Sequence, residues 1–245
     1  MKRIAAVLLT MALAAASPAW GQGACPPGGP VVAIDIGHDR VHFGATSATG
    51  RTELSYNQVL AGRLKAALAA TGIVTVPTTS AAADPVPLTE RPRAAAAGGA
   101  TLFLSLHHDA VQERYLSSWT IGGRTFSYSD RFHGYSLFVS GKSARFDASL
   151  AFAQQLGRAL HAHGLTPSLH HAEPIPGENR PLLDPALGIY RFDDLVVLKA
   201  ATMPAVLLEA GIIVNRDEER ELAAPARQQA TVAAITEAIA AWCGR

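Results

Sequence analysis

Short apolar runs alternate with longer stretches of helical periodicity from residue 31 onward. The runs are rich in branched side chains, as in buried strands, whereas the stretches repeat leucine or alanine at helical spacing. Strands are predicted at 31–36, 73–76, 101–106, 134–140, 195–199 and 205–209, and helices at 53–72, 89–99, 147–163 and within 217–242. This alternation predicts an α/β fold: a single domain with a mostly parallel central sheet of about six strands, flanked by helices on both faces.

Two stretches show neither periodicity. Residues 111–133 are aromatic and polar and are predicted to form a surface loop. Residues 164–194 are broken by prolines, and loops of that length usually carry function or are disordered. Within them, His170 and His171 with Glu173 and Glu178 could form a second metal site, but the composition favours a solvated loop.

The N-terminus has the pattern of a secretory signal peptide. Lys2 and Arg3 precede an apolar run over residues 4–16, and small residues follow up to position 24. Such a run is too short for a stable membrane anchor. We therefore expect a signal peptide at 1–24, one domain at 25–245, and an exported protein. A lipoprotein is the less favoured alternative, because residues 22–24 lack the apolar residue that normally precedes a lipidated cysteine.

The two cysteines, Cys25 and Cys243, lie near opposite ends of the exported chain. An even pair in an exported protein favours a disulfide. Closing so long a loop would stabilise the fold by about 5 kcal/mol as an upper figure. The alternative is two free thiols.

The charge balance argues against nucleic acid as a partner. Lys and Arg number 21 against 20 Asp and Glu, for a formal net charge of +1. No long basic run occurs, and phosphate backbones are bound mainly through clustered positive charge.

Four ionisable residues lie at the ends of predicted apolar elements: His38, Glu53, His107 and Glu209. A charged group at such a position needs a partner or a function. Two histidines and a carboxylate are a common catalytic zinc set, and a second carboxylate can serve as general base. Without a cysteine ligand, this chemistry favours hydrolysis over redox reactions.

The spacing of these residues leaves simpler explanations open. Glu53 could be a helix-start carboxylate that interacts with the helix dipole. His38 and His107 could be hydrogen-bonded loop residues. Glu209 is harder to explain structurally, because an unpaired carboxylate after a run of apolar residues is costly.

Four segments occur in the order seen in a known enzyme family: AIDIGHD, TELSYNQVLAGRLKAAL, LFLSLHHDA and PAVLLEAGIIVNRDEE. From residue 31 to about 233 the chain resembles the zinc-dependent N-acetylmuramoyl-L-alanine amidases (amidase type 3). The resemblance implies one zinc ion on His38, Glu53 and His107, with Glu209 as catalytic base and then acid. It also implies hydrolysis of the amide between N-acetylmuramic acid and L-alanine, in peptidoglycan or muropeptides of the periplasm or cell envelope.

Departures from the family pattern leave some details open. Ile36 replaces a proline, Asp39-Arg40 replaces two glycines, and Asp109 replaces an asparagine. Two adjacent histidines stand where the family has one; His107 aligns with the ligand, and His108 is the alternative. Successive strand residues point to opposite faces, so both cannot readily serve.

Regulation and exact substrate also stay open at this point. Some family members carry a helix that plugs the zinc site until a protein activator displaces it. Residues 164–194 contain no convincing amphipathic helix, so we expect an open site, with any activator unknown. A zinc peptidase or amidohydrolase with another substrate, or a non-catalytic wall-binding relative, are the alternatives.

Overall fold

The computed structural model describes residues 29–78 and 85–243. The predicted signal peptide and Cys25 lie outside the described residues. No helix in these ranges has both the length and the apolar character needed to cross a bilayer.

The described residues form nine strands and six helices. The strands are β1 (Val31–Ile36), β2 (Val74–Pro77), β3 (Leu102–Asp109), β4 (Ser117–Ile121), β5 (Arg124–Tyr128), β6 (Ser136–Val139), β7 (Leu182–Asp184), β8 (Ile189–Arg191) and β9 (Ala205–Ile212). The helices are α1 (Glu53–Ala70), α2 (Glu90–Ala97), α3 (Phe146–Ala162), α4 (Val196–Lys199), α5 (Arg216–Ala223) and α6 (Pro225–Trp242).

Seven strands make one sheet in the order β2-β1-β3-β9-β6-β8-β7. Neighbouring strands run parallel from β2 through β9 and again between β6 and β8, whereas the β9–β6 and β8–β7 pairs are antiparallel. β4 and β5 form a separate hairpin. The predicted α/β class and mostly parallel sheet are confirmed, with seven strands in place of six.

Helices cover both faces of the sheet. On one face, α1, α3 and α6 pack over the larger core, and on the other, α2 and α4 pack over a smaller one. Helix α1 shows why: Leu60, Leu64 and Leu68 recur every fourth residue and are all buried. Burying each such side chain contributes about 1.5–3 kcal/mol, which fixes the helix to the sheet.

Three predictions about individual elements are wrong, and one of them concerns residues 164–194, which the sequence predicts to be a loop but which contain β7 and β8. The sequence predicts a strand at 195–199, but Val196–Lys199 is a helix whose Val197 and Leu198 are buried in the smaller core. Short apolar runs do not distinguish a buried strand from a buried helix. The predicted loop at 111–133 contains the β4–β5 hairpin. Most positions in both strands are exposed, so the sequence lacks the apolar pattern by which a strand is recognised.

The parallel part of the sheet brings the candidate residues to one edge. His38 follows β1, His107 lies near the end of β3, and Glu209 lies in β9. These three strands are neighbours, and His107 is paired in register with Glu209. Ligands of open α/β sheets bind at the carboxyl ends of such strands.

Candidate metal centre and active site

Glu53 joins two histidines at this edge of the sheet. Its Oε2 lies 2.9 Å from His38 Nε2, and its Oε1 lies 2.9 Å from His107 Nδ1. The three ligand atoms all lie within 4.8 Å of one another. Glu53 is buried at the start of α1, while both histidines are partly exposed.

The donor set fits a zinc ion. Two imidazole nitrogens and one carboxylate converge, which is a known catalytic zinc set with a fourth position left open. Burial alone would raise the pKa of Glu53, but hydrogen bonds and charge interactions with His107 and His38 hold this pKa below its ordinary value. Glu53 is therefore ionised, as a metal ligand must be.

The loop after β1 takes a special backbone shape to present His38. His38 has φ +71°, a left-handed conformation that is uncommon for residues other than glycine. A side chain at Gly37 would overlap the His107 ring, and one at Gly44 would overlap Glu53 and His38. Gly44 also has φ +77°. Both glycines therefore make room for the three converging side chains.

A buried arginine on α2 holds this loop through hydrogen bonds to its backbone. Arg91 donates from Nη1 to the Ile36 carbonyl and from Nη2 to the His38 carbonyl, both at 2.7 Å. Its charge pairs with buried Asp35, whose carboxylate also accepts hydrogen bonds from Thr78 and Ser105. No sequence pattern identifies Arg91, although Asp35, an ionisable residue inside an apolar strand, indicates that a buried counter-charge exists.

His107, and not its neighbour, directs its side chain to Glu53. The His108 ring is buried on the other side, with Nδ1 2.8 Å from the Asn57 side-chain oxygen. Burial is the main reason that its pKa falls to about 3, so His108 is neutral. Asn57 also donates to the Gly37 carbonyl and, at 3.4 Å, to Glu53. Asn57 therefore connects α1 to the loop that carries His38.

Glu209 lies beside this centre without joining it. The residue is half-buried, and its Oε2 is buried with no hydrogen-bond partner among the described residues. Burial, followed by the negative charges of Asp109 and Glu53, raises its pKa well above the ordinary value. An unliganded carboxyl with a raised pKa is suited to proton transfer.

Two cavities lie side by side at this edge of the sheet. One, of about 520 Å³, is polar and is lined by Glu209, Asp109 and His171; we call it the Glu209 cavity. The other, of about 560 Å³, is lined by His38 and His107 and by apolar side chains; we call it the His38 cavity. Leu195 and Leu207 line both.

The fold and the site together define a class: an α/β protein with a His-Glu-His centre suited to zinc and an unliganded carboxylate beside it. A family model described as N-acetylmuramoyl-L-alanine amidase matches residues 32–241. The chain belongs to this family, and the resemblance seen in the sequence is confirmed.

Curated relatives are similar over most of the chain. The N-acetylmuramoyl-L-alanine amidase AmiA of Escherichia coli (strain K12) is 27% identical over 221 residues, which are 85% of this chain and 74% of that protein. AmiA of Salmonella typhimurium is also 27% identical over 221 residues, with the same coverage.

Solved structures share the fold. The amidase Ami1 from Mycobacterium smegmatis has a TM-score of 0.68 at 22% identity, covering 88% of this chain and 97% of that chain. The catalytic domain of CwlV from Bacillus (Paenibacillus) polymyxa var. colistinus has a TM-score of 0.65 at 24% identity, covering 88% and 98%. The CwlD amidase from Clostridioides difficile, solved in complex with the GerS lipoprotein, has a TM-score of 0.62 at 16% identity, covering 88% and 99%.

Proposed function

We propose that the chain hydrolyses the amide between the lactyl group of N-acetylmuramic acid and the L-alanine of the stem peptide, in peptidoglycan or muropeptides. Membership of the amidase family supports this activity. The observation that carries the mechanism is the pairing of His107 with Glu209 across β3 and β9, with Glu53 joining His107 to His38.

The residues that would hold zinc are His38, through Nε2, His107, through Nδ1, and Glu53, through its carboxylate. When bound, zinc supplies the Lewis acidity that makes water acidic enough to attack an amide near neutral pH and that polarises the amide carbonyl. Buried Glu53 holds one imidazole on each of its two oxygens, which keeps the three ligand atoms within 4.8 Å of one another. Asn57 holds the Gly37 carbonyl by a hydrogen bond. Gly37 and Gly44 carry no side chain that would overlap the converging residues.

Glu209 moves the proton. Its carboxylate accepts a proton from the attacking water as the water oxygen bonds to the carbonyl carbon. It then donates this proton to the nitrogen of L-alanine as the carbon–nitrogen bond breaks. The products are the free lactyl carboxylic acid and the free amine of the stem peptide. The raised pKa of Glu209 suits the donor stage.

A matched pair of glutamine variants tests this function. Glu209→Gln should keep its zinc and its fold but release stem peptide about 100- to 10,000-fold more slowly. Glu237→Gln, at an exposed glutamate that pairs with His163, should match the wild type. Mass spectrometry of digested muropeptides and metal analysis give both readouts. If zinc-loaded wild type releases no stem peptide but cleaves free peptides, the substrate is wrong; if Glu209→Gln stays active, its role is wrong.

We further propose that the site is accessible without an activator. Residues 164–194, all of them described, hold two short strands and a 3-10 turn but no α-helix that could plug the centre. CwlD was solved with a lipoprotein partner. Purified protein should therefore digest peptidoglycan unaided. Activity that appears only after adding an envelope extract would contradict this.

The substrate also requires export. We propose that residues 1–24 are removed and that the protein acts in the periplasm or cell envelope. Fractionation of expressing cells, with mass analysis of the purified N-terminus, measures both the location and the cleavage site. A cytoplasmic protein that keeps residues 1–24 would contradict the proposal.

A further inference from the structure

A second cluster of ligand-type side chains lies beyond the His-Glu-His centre. Asp109 Oδ2, at the end of β3, is 3.2 Å from His170 Nε2 and 2.8 Å from His171 Nε2. The three ligand atoms lie within 4.8 Å of one another. His170 and His171 start a 3-10 turn, so the solvated loop expected from the sequence is wrong at this point.

The cluster is largely buried and contains a ring nitrogen that makes no hydrogen bond among the described residues. The His170 side chain is 2% exposed, and those of His171 and Asp109 are 12% and 11% exposed. His170 Nε2 lies within ion-pair distance of Asp109 Oδ2 but makes no hydrogen bond of normal geometry among the described residues. Buried polar atoms are nearly always hydrogen-bonded, so each exception needs an explanation. A ligand position explains an imidazole nitrogen aimed at a carboxylate oxygen without a hydrogen bond.

The opposite ring nitrogens are fixed by other residues. Ser168 Oγ lies 2.9 Å from His170 Nδ1, and Glu178 Oε2 lies 2.8 Å from His171 Nδ1. Gln112 in turn donates to Glu178 at 3.0 Å. Both Nε2 atoms thereby face Asp109, and that of His171 shares a hydrogen bond with Asp109 Oδ2. Histidines that bind metals are typically oriented by such hydrogen bonds from their second nitrogen.

The spacing of the cluster suits a transition metal. Tetrahedral ligands at zinc–ligand distances of about 2.0–2.1 Å lie about 3.3 Å apart. The distance of 3.2 Å from Asp109 Oδ2 to His170 Nε2 is close to this value, whereas the 2.8 Å to His171 Nε2 is a hydrogen-bond length that metal binding would extend. Glu173, which the sequence pattern also suggested, instead pairs with Arg131.

We propose that Asp109 Oδ2, His170 Nε2 and His171 Nε2 bind a second divalent transition-metal ion of the zinc class. Three protein ligands leave a coordination position open. Asp109 and His171 both line the Glu209 cavity, so a bound ion would be accessible to a ligand there. The competing explanation is an ion-paired network in which protonated His171 is shared by Asp109 and Glu178.

Removing the first centre isolates the second. The exported chain carrying His38→Ala and Glu53→Gln is titrated with Zn²⁺ and with Co²⁺, followed by calorimetry and by the visible spectrum of Co²⁺. We expect about one equivalent to bind, and adding Zn²⁺ should raise the melting temperature of this variant. Adding His170→Gln and His171→Gln should weaken binding at least about 100-fold, while Glu178→Gln alone should weaken it about 10- to 100-fold.

The matched control is His163→Gln. His163 is a partly exposed histidine that pairs with Glu237, outside both clusters, so this substitution should leave the titration unchanged. Circular dichroism establishes that each variant is folded, and Asp109→Asn replaces the double histidine variant if that one is not. A folded His38→Ala, Glu53→Gln variant that binds neither metal overturns the proposal. So does bound metal that is insensitive to His170, His171 and Asp109. Neither result would bear on the proposed amidase activity, because that activity is measured separately on the wild type.

Discussion

Gly37 illustrates how one residue can govern the centre without touching a substrate. Any side chain at this position would overlap the His107 ring. Gly37→Ala should therefore displace His107, weaken zinc binding and lower the turnover of muropeptides by about 100-fold, since a displacement of about 1 Å has that effect. Kinetics and metal analysis measure it.

The control for this prediction lies in α1. Gly62 is an exposed glycine whose added Cβ would meet nothing within 4 Å. Gly62→Ala should leave activity unchanged and stabilise the helix by about 0.5–1 kcal/mol. Equal loss of activity in both variants would show that the space beside His107 is not the cause.

Arg91 is expected to stabilise the fold by holding the loop that carries His38. It is 1% exposed, pairs with Asp35 and donates to two carbonyls of the His38 loop. Arg91→Ala should lower the free energy of unfolding by about 3–5 kcal/mol, because it leaves a buried carboxylate without its counter-charge. Urea denaturation measures the loss.

Arg93, two residues further along α2, is the matched comparison. Its side chain is 73% exposed and, among the residues that the structure describes, forms an ion pair with Glu90 alone. Exposed pairs contribute little, so Arg93→Ala should change the free energy of unfolding by less than about 1 kcal/mol. A small effect at Arg91 would mean that the loop is held by other contacts.

At the residue scale, the sequence predicted the centre better than its surroundings. His38, Glu53 and His107 were identifiable because ionisable groups at the ends of apolar elements are conspicuous, and the structure brings their ligand atoms together. The sequence favours a solvated loop at His170 and His171, because no pattern shows that Asp109, some sixty residues away, contacts them. Contacts between distant loops depend on tertiary packing, which periodicity does not encode.

The β4–β5 hairpin is the element whose role is least evident from its composition. Trp119 donates from its indole to the Ala48 carbonyl at 2.7 Å, which ties the hairpin to the loop between His38 and Glu53. Trp119→Phe should cost about 1 kcal/mol of stability and speed amide hydrogen exchange at residues 47–53.

Thr120→Ala provides the comparison within the same strand. Successive strand residues face opposite sides, and Thr120 is exposed. Its substitution should leave exchange in residues 47–53 as in the wild type. If the amides of residues 47–53 exchange at the same rate in both variants, the hairpin does not stabilise this loop through Trp119.

Elements were predicted best where burial is uniform. The strands around β1, β3 and β9 have nearly continuous apolar sequences because helices cover both faces. Residues 117–128 alternate weakly between half-buried and exposed positions, so a two-stranded hairpin at the surface leaves little hydrophobic pattern. Helix α4 is four residues long, which is too short for helical periodicity to appear.

For the whole molecule, the pairing of Cys25 with Cys243 stays a prediction, since Cys25 lies outside the described residues. Replacing both by serine should lower the free energy of unfolding by about 2–5 kcal/mol under non-reducing conditions. Reductant should produce the same loss in the wild type and none in the double variant. Intact mass and denaturation with and without reductant measure this; identical wild-type curves would contradict it.

The two leucines shared by both cavities have a consequence for inhibitor chemistry. Leu195 and Leu207 line the His38 cavity, with its apolar wall, and also the polar Glu209 cavity. A fragment that chelates the proposed zinc ion from the His38 cavity and a charged fragment in the Glu209 cavity could be joined by a short linker across these side chains. Because linked fragments bind at high effective concentration, such a compound should gain affinity over either half. Fragments that reach only one cavity would forgo this gain.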